Sequence, residues 1–190
     1  MHFLSGLSWG LYVQALVIAC MVTFIYYTCR TKIPLVATQA AARNVILSIL
    51  KTEIDARPGE KIKIYDLGSG LGGLCRTMAR EFPGAGVIGI EMGWPIWLYA
   101  RTRLILCPQK NLRFLCRDFW KHDIRDGDIV VFYLGDVVMS QMAEKLRRDA
   151  RPNRLIISNT FPLPKDWAPI QRIPVAARLS KEIYVYRQTA

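Results

Sequence analysis

The chain has 190 residues, a formal net charge of +11 at pH 7, 52% hydrophobic residues and a mean hydropathy of +0.16. This length predicts one domain of ordinary size with a short appendage, and the hydropathy is high for a wholly soluble protein. The positive charge is not interleaved with aromatic residues in any recognisable nucleic-acid-binding module, and the two histidines are too few and too far apart for a metal site, so we expect neither nucleic acid nor a metal as a partner.

The first predicted element is an apolar segment at the start of the chain. Residues 1–29 contain no Asp, Glu, Lys or Arg, and residues 7–27 form an almost unbroken apolar run of the roughly 20 residues that cross a bilayer core. Arg30 and Lys32 follow it, so the positive-inside rule places the rest of the chain in the cytoplasm. We predict a transmembrane helix and a juxtamembrane turn in residues 1–33 of a single-pass protein, which would lie in the inner membrane of a bacterium, with membrane lipid as a partner.

Two other interpretations of this segment remain open, a cleaved signal peptide and a lipoprotein signal that ends at Cys20. Both require a positively charged region at the N-terminus, which His2 hardly supplies, and the apolar run continues past Cys20. The five cysteines are odd in number, include no CxxC pair and lie in apolar surroundings, which indicates reduced thiols.

A second domain is predicted from residue 34 to residue 190. Apolar residues at helical spacing between 45 and 50 predict a helix with Thr38 as its N-cap, and residues 57–59 end it. From there strands and helices alternate, which is typical of a parallel sheet with helical crossovers. The predicted strands are residues 62–67, 86–90, 112–115, 128–134, 154–158 and 182–186, and the later predicted helices are residues 74–81, 94–104 and 139–148.

The stretch IKIYDLGSGLGG joins a strand to an acid and then to a loop of closely spaced glycines. Glycines permit positive φ angles and let the backbone approach a ligand. Gly68, Gly70 and Gly73 also match the dinucleotide fingerprint GxGxxG, but an ionised Asp66 before them would repel a pyrophosphate at the following helix N-terminus. The same carboxylate would attract a cation. The pattern DxGxGxG, with Gly72 as its last glycine, resembles motif I of the class I methyltransferases, which bind the sulfonium compound S-adenosylmethionine.

Glu91 ends the second predicted strand, 21 residues beyond Gly70. A carboxylate at this position is where such folds hydrogen-bond the hydroxyls of a ribose. A local run of basic residues occurs later in the chain, and a basic domain held beneath an anionic leaflet is attracted to it by about 1 kcal/mol per Lys or Arg near the surface. This basic run, which we expect to draw the domain to the membrane, comprises Lys145, Arg147, Arg148, Arg151 and Arg154.

From residue 34 onward the chain is similar to the membrane-anchored lysine methyltransferases typified by the ATP synthase c-subunit lysine methyltransferase. The similar pieces are IPLVATQ before the first helix of the domain, DLGSGLG at the glycine loop, GIE at the second strand, RDFWK, and SNTFPLPKDW. The chain departs from the family after Glu91, where Asn-Pro is usual and Met92-Gly93 stands here. The resemblance implies an α/β fold, a Rossmann-like seven-strand class I methyltransferase domain preceded by one transmembrane helix.

The resemblance also implies which residues contact the cofactor S-adenosylmethionine. A carboxylate can accept hydrogen bonds from both hydroxyls of a diol, and an acid can accept one from an exocyclic amine. The implied contacts are Asp66, Gly68, Ser69, Gly70 and Gly72 for the methionine end, Glu91 with the adjacent Met92 for the ribose, and Asp118 and Phe119 for the adenine.

The implied methyl acceptor is a lysine of a membrane protein, with the ATP synthase c-subunit as the leading candidate. Neutralising a lysine whose pKa is roughly 10.4 costs on the order of 4 kcal/mol at neutral pH, and a desolvating aromatic channel reduces that cost. Tyr133, Asn159 and Phe161 follow the fourth and fifth strands, and we expect them to line such a channel at the C-terminal edge of the sheet. Asp136 either steers or deprotonates the ammonium as a catalytic residue, or caps the helix that begins near Val137.

Two classes of function are therefore open. The first is a membrane-anchored methyltransferase, and the second is a binding or scaffold protein that retains a degenerate S-adenosylmethionine fold beneath the membrane. The intact set of Asp66, Gly68, Gly70 and Glu91 favours the first. A nicotinamide oxidoreductase is opposed by the position of Asp66.

Overall fold

The structure is a computed structural model that describes residues 9–19, 21–23 and 37–189. Residues 9–19 and 21–23 are helical (α1), and their large apolar side chains, from Trp9 to Val22, are each more than half exposed. Within the described ranges no helix is both long and apolar enough to cross a membrane. The rest of the predicted spanning run, at residues 7, 8, 20 and 24–27, and the predicted juxtamembrane turn lie outside the described residues.

A seven-stranded sheet forms the centre of the domain, in the order β3-β2-β1-β4-β5-β7-β6. The first five strands are parallel to one another, whereas β7 runs antiparallel to both β5 and β6. The predicted seven-strand Rossmann-like fold is confirmed, but the prediction of a parallel sheet is wrong for β7, which runs opposite to the other six strands. The strands are β1 (Lys63–Leu67), β2 (Gly86–Glu91), β3 (Leu112–Cys116), β4 (Ile129–Phe132), β5 (Leu155–Asn159), β6 (Gln171–Pro174) and β7 (Glu182–Arg187).

Helices cover both faces of the sheet. One face packs against α2, α3 and α4, and the other packs against α5 together with the segments that follow β3 and β5. Burial on both faces explains why β4 and β5 are almost continuously apolar. The helices are α2 (Ala40–Asp55), α3 (Gly73–Glu81), α4 (Trp94–Leu106) and α5 (Met139–Arg148), and a short 3-10 helix spans Asp136–Val138.

The start of α2 differs from the prediction by one residue. Its N-cap is Gln39 rather than Thr38, and it makes no side-chain cap hydrogen bond. The Gln39 side chain instead accepts a hydrogen bond from the amide of Leu179 at 2.7 Å. This contact fastens the loop before β7 to the start of α2, close to the C-terminal ends of β4 and β5.

The sequence does not predict β6. This strand has an exposed, polar pattern and contains Pro174, which cannot donate to a strand ladder. Its place at the edge of the sheet tolerates both features, because among the described strands it pairs with β7 alone. Tertiary pairing rather than local propensity therefore creates β6.

Two members of the basic run are structural and not surface residues. Lys145 is 1% exposed and forms an ion pair with Asp149 at 2.7 Å. Arg154 is fully buried and donates to the backbone carbonyls of Ile124 at 2.7 Å and Gly127 at 3.0 Å. The expectation that the whole run draws the domain to a membrane is therefore wrong for these two side chains, whose charges are used inside the fold.

Candidate functional site

The loop between β1 and α3 passes three times through the left-handed region of backbone conformation. The φ angle is +76° at Gly68, +53° at Gly70 and +74° at Gly72, values that cost most other residues about 1–2 kcal/mol. The amides of Gly68 and Ser69 both donate to the carbonyl of Ile90, at 2.9 and 3.0 Å. The glycines are therefore required by the shape of the loop, and the loop is fixed to the C-terminal end of β2.

Glu91 joins the glycine loop to the end of β2 through its side chain. Its Oε2 accepts a hydrogen bond from the amide of Gly70 at 3.0 Å, and its Oε1 accepts one from the amide of Gly93 at 2.8 Å. Burial raises the pKa of Glu91, and these backbone donors, with Met92, act in the opposite direction. A carboxylate has about four acceptor positions, so Glu91 can hold the loop and still accept from a ligand.

Asp66 lies beneath the loop and is 5% exposed. The thiol of Cys75, in the first turn of α3, donates to its Oδ2 at 3.0 Å. Burial raises the pKa of Asp66 to about 6, the thiol opposes this shift, and the charge of Glu91 adds to it. Burial also raises the pKa of Cys75, so the thiol stays protonated and able to donate. At neutral pH this arrangement holds a buried negative charge that a cationic ligand would stabilise.

The Cys75 contact was not predicted, because the cysteines indicate only reduced thiols in the sequence. The nine-residue spacing from Asp66 is the signal that could have found it. A strand, a loop of this length and one helical turn bring the two side chains to the same face of the sheet.

Ser69 supplies a further group in the loop. Its hydroxyl is buried and has no hydrogen-bond partner within residues 37–189. Leaving such a group unpaired costs about 1–3 kcal/mol, so a polar ligand atom at this position would be stabilising. Asp66, Ser69 and Glu91 together offer two carboxylates and a free hydroxyl, a set that fits the charged amino-acid end and the ribose of S-adenosylmethionine.

The predicted adenine residues follow β3 at the same edge of the sheet. The amide of Arg117 donates to the carbonyl of Glu91 at 3.1 Å, which places Asp118 beside the end of β2. The Oδ1 of Asp118 accepts from the amide of Trp120 at 2.9 Å. Phe119 is buried in the core, with its ring centroid 4.5 Å from that of Trp120. Asp118 therefore lies near the glycine loop, whereas the Phe119 ring packs in the core.

The structure also brings the predicted channel residues together. The rings of Tyr133 and Phe161 are stacked, with centroids 6.3 Å apart and planes at 28°. The Tyr133 hydroxyl donates to the carbonyl of Leu179, which fixes the ring. Asn159 is 1% exposed, and its Nδ2 has no partner among the residues that the structure describes. A hydrogen-bonded tyrosine ring, a phenylalanine ring stacked on it and an unpaired amide nitrogen therefore lie at the ends of β4 and β5.

The turn after β5 is strained at Thr160. Its φ is +73°, an unusual value for a β-branched residue. The turn is closed by the amide of Phe161, which donates to the carbonyl of Asn159 at 2.9 Å, while the amide of Thr160 donates to the carbonyl of Glu182 at 2.8 Å. Such strain persists where its surroundings enforce it, and it clusters at functional sites. No glycine marks the position in the sequence, so this left-handed residue was not predicted.

Asp136 is the remaining predicted site residue and follows β4. It is exposed at the start of the 3-10 helix, and its Oδ1 accepts from the amide of Val137 at 2.9 Å. Within the described part of the chain, no hydrogen bond joins it to another predicted site residue. The N-cap of the 3-10 helix is Gly135 and that of α5 is Val138, and within residues 37–189 neither helix has a side-chain cap hydrogen bond, so the structure does not show the predicted capping role. The steering or deprotonating role stays a prediction.

Several known proteins are similar to this chain in sequence. Residues 66–171 match the family model described as the ANTKMT methyltransferase domain. The adenine nucleotide translocase lysine N-methyltransferase of Mus musculus is 29% identical over 144 residues, which are 74% of this chain and 58% of that protein. A protein-lysine N-methyltransferase of Saccharolobus islandicus (strain REY15A) is 25% identical over 130 residues, which are 65% of this chain and 77% of that protein.

A solved structure shows the same fold. An RNA methyltransferase from Salinibacter ruber, in complex with S-adenosyl-L-homocysteine, has a TM-score of 0.68 and 22% identity over 81% of this chain and 94% of that chain. At this identity the likeness concerns the fold alone. The chain spans 58% of the length of the mouse protein. The family match, by contrast, begins at Asp66 and covers more than half of the chain. Because of this coverage, the chain belongs to the family of ANTKMT methyltransferase domains.

Proposed function

We propose that this chain is an S-adenosylmethionine-dependent methyltransferase that modifies a lysine of a protein. The observation that carries the proposal is a pair of carboxylates, the buried Asp66 and the half-buried Glu91, on either side of a glycine loop whose shape requires its glycines. A sulfonium compound with an ammonium group and a ribose matches these charges, whereas a pyrophosphate does not. Membership of a methyltransferase family supports the same conclusion, and both relatives above are named lysine N-methyltransferases.

In this proposal the residues of the chain bind the cofactor and orient it towards the acceptor lysine. When bound, S-adenosylmethionine supplies an electrophilic methyl group, so the transfer needs little acid or base catalysis from the protein. Asp66 and Ser69 hold the amino-acid end, Glu91 accepts from the ribose hydroxyls, and Asp118 accepts from the adenine amine. Holding donor and acceptor in line reduces the barrier by several kcal/mol.

The acceptor lysine enters alongside the stacked rings of Tyr133 and Phe161. Exclusion of water by two aromatic rings disfavours the ammonium form and lowers the pKa of the lysine, which makes its lone pair available. The unpaired amide nitrogen of Asn159 gives the entering group a polar neighbour. Asp136, exposed near the end of β4, steers the cation before it enters.

We also propose that the domain works at a membrane. The charge-free segment 1–29 attaches the chain to the bilayer, Arg30 and Lys32 keep the domain on the cytoplasmic side, and the acceptor is a membrane protein. The exposed apolar side chains of α1 support attachment, and the name of the mouse relative, a translocase lysine methyltransferase, supports a membrane-protein acceptor. The c-subunit of ATP synthase is the leading candidate by resemblance. Confinement to one surface raises the effective concentration of enzyme and acceptor.

Calorimetry with the purified full chain tests the cofactor assignment. We expect S-adenosylmethionine and S-adenosylhomocysteine to bind and NADH not to bind. Glu91→Ala is the test variant and Glu81→Ala, an exposed carboxylate on α3, is its matched control. Binding of NADH in place of S-adenosylmethionine would favour an oxidoreductase, and binding without methyl transfer to any membrane fraction would favour the scaffold.

Reporter fusions test the topology. A C-terminal reporter that is active only on the exterior side would contradict the cytoplasmic assignment. Replacing residues 13 and 17 of α1 by glutamate should lower methylation in membranes and leave cofactor affinity unchanged. Equal methylation rates for this variant and the wild type would contradict the confinement argument.

A further inference from the structure

The side of α4 that faces away from the sheet is apolar. On the inner side Ala100 and Leu104 are buried, and the indole nitrogen of Trp97 donates to the carbonyl of Phe114 at 3.1 Å. At 3.6 residues per turn, the opposite arc should be polar on an ordinary surface helix. Around the exposed Thr102 it carries instead five large apolar side chains that are 42%, 45%, 48%, 65% and 74% exposed. We call this the α4 outer face: Trp94, Leu98, Tyr99, Ile105 and Leu106.

Positive charge borders the α4 outer face on both sides. By helical spacing Arg101 lies along one border and Arg103 along the other, and both are exposed. The guanidinium of Arg103 lies 5.8 Å from the centroid of the Tyr99 ring. Residues 92–117 contain five Lys or Arg and no Asp or Glu, and the remaining cations of this stretch are also exposed: Lys110, Arg113 and Arg117.

We infer that the α4 outer face docks on the surface of an anionic bilayer, with the helix lying in the plane of the membrane. Aliphatic side chains enter the boundary between headgroups and acyl chains, and Trp94 and Tyr99 are the residue types that favour this depth. Arg101 and Arg103 extend along the apolar surface and hold their guanidinium groups at the lipid phosphates. The proposal rests on charge complementarity, because the same helix is apolar outward, basic at its borders and free of carboxylates.

A second copy of this chain fits the α4 outer face less well. A symmetric contact would bring Arg101 and Arg103 against the same two residues of the other copy. The stretch 92–117 offers no carboxylate to offset that repulsion. An anionic lipid surface supplies the missing negative charge over the whole length of the helix.

Docking through α4 would hold the candidate site at the leaflet. Helix α4 begins directly after Gly93, whose amide donates to Glu91, and a Cβ placed on Gly72 would lie 3.3 Å from the Cβ of Ala100. The helix thus packs against the glycine loop. This inference concerns lipid binding by a surface, so it can fail while the proposed methyltransferase function stands, and the reverse also holds.

Vesicle co-sedimentation with the full chain tests the proposal. Since α1 also exposes apolar side chains, the measurements use the Val13→Glu, Val17→Glu double variant as a background, with vesicles of phosphatidylcholine alone or mixed with phosphatidylglycerol. The test variant is Ile105→Glu, and the matched control is Ile170→Glu, because these isoleucines are 65% and 60% exposed on different parts of the domain. Leu98→Glu repeats the test at a second position.

The background chain is expected to bind the anionic vesicles, to prefer them to phosphatidylcholine and to release as salt is added. Ile105→Glu and Leu98→Glu should each lower partitioning of the protein into the vesicles about tenfold. Ile170→Glu should leave this partitioning unchanged. Circular dichroism and molar mass should be the same for all variants. Failure of the background chain to bind, equal binding by Ile105→Glu and Ile170→Glu, or a change of molar mass in Ile105→Glu would overturn the proposal. The last result would assign the face to a second copy.

Discussion

Replacing Asp66 with asparagine is expected to stabilise the fold and to abolish cofactor binding. Asp66 is 5% exposed, and burial raises its pKa from 3.8 to about 6. At 1.36 kcal/mol per pH unit, this difference means that the ionised side chain costs the fold about 3 kcal/mol at neutral pH. Asparagine has the same shape and keeps an acceptor for the thiol of Cys75, but it carries no charge. Because its amide also needs a partner, we expect a net gain of about 1–3 kcal/mol at pH 7.5.

The raised pKa of Asp66 determines how the stability of the fold changes with pH. An acid whose pKa is higher in the folded state holds its proton more tightly when the chain is folded. The stability that depends on Asp66 is therefore greatest at low pH and is lost as the pH rises from about 4 through 6. Between pH 5 and pH 7.5 the wild type should lose roughly 1.5 kcal/mol relative to Asp66→Asn.

Urea denaturation of the full chain at several pH values measures this difference. Asp55→Asn is the control, because Asp55 pairs with Lys51 at the surface and its side chain is 62% exposed. Parallel stability curves for the wild type and Asp66→Asn would refute the assignment of a buried, ionised carboxylate at residue 66. Retention of S-adenosylmethionine affinity in Asp66→Asn would refute its role in binding the cofactor.

Further predictions concern the loop and one buried ion pair. Glu91→Ala should weaken S-adenosylmethionine binding about tenfold to hundredfold in calorimetry, since a charged acceptor is lost. Gly72→Ala should destabilise the chain by about 2–5 kcal/mol in urea denaturation, because residue 72 has a left-handed backbone and a Cβ there would clash with the ring of Phe114 in β3. Gly73→Ala should be nearly neutral, since a Cβ at that position would meet open space. Asp149→Ala should cost about 3–5 kcal/mol by leaving Lys145 buried without its partner, and a cost below 1 kcal/mol would contradict that role.

The glycine loop could be predicted because its backbone demands leave a mark in the sequence. Positive φ angles at Gly68, Gly70 and Gly72 select for glycine, so the shape of the loop can be inferred from residue types alone. The spacing to Glu91 follows from the length of one crossover helix. The parallel half of the sheet was predictable for the same reason, since buried strands separated by helical patterns admit few topologies.

The features that sequence reasoning missed depend on tertiary contacts. Pro174 lies in a strand that exists through pairing with β7, and Thr160 adopts a left-handed conformation imposed by the contacts of its turn. Arg154 and Lys145 carry charges that ordinarily indicate a surface, yet backbone carbonyls and Asp149 satisfy them inside the fold. Local propensity contains no term for such partners, so these residues are identified only once the chain is folded.

The central claim is methyl transfer to a protein lysine, and one measurement tests it most directly. The full chain is incubated with S-adenosylmethionine that carries a deuterated methyl group and with membranes from cells that lack the gene, and the peptides are analysed by mass spectrometry. We predict labelled lysine in a membrane protein with the wild type and none with Asp66→Asn. Cofactor binding without label on any lysine, or label on RNA or a soluble metabolite alone, would contradict the claim.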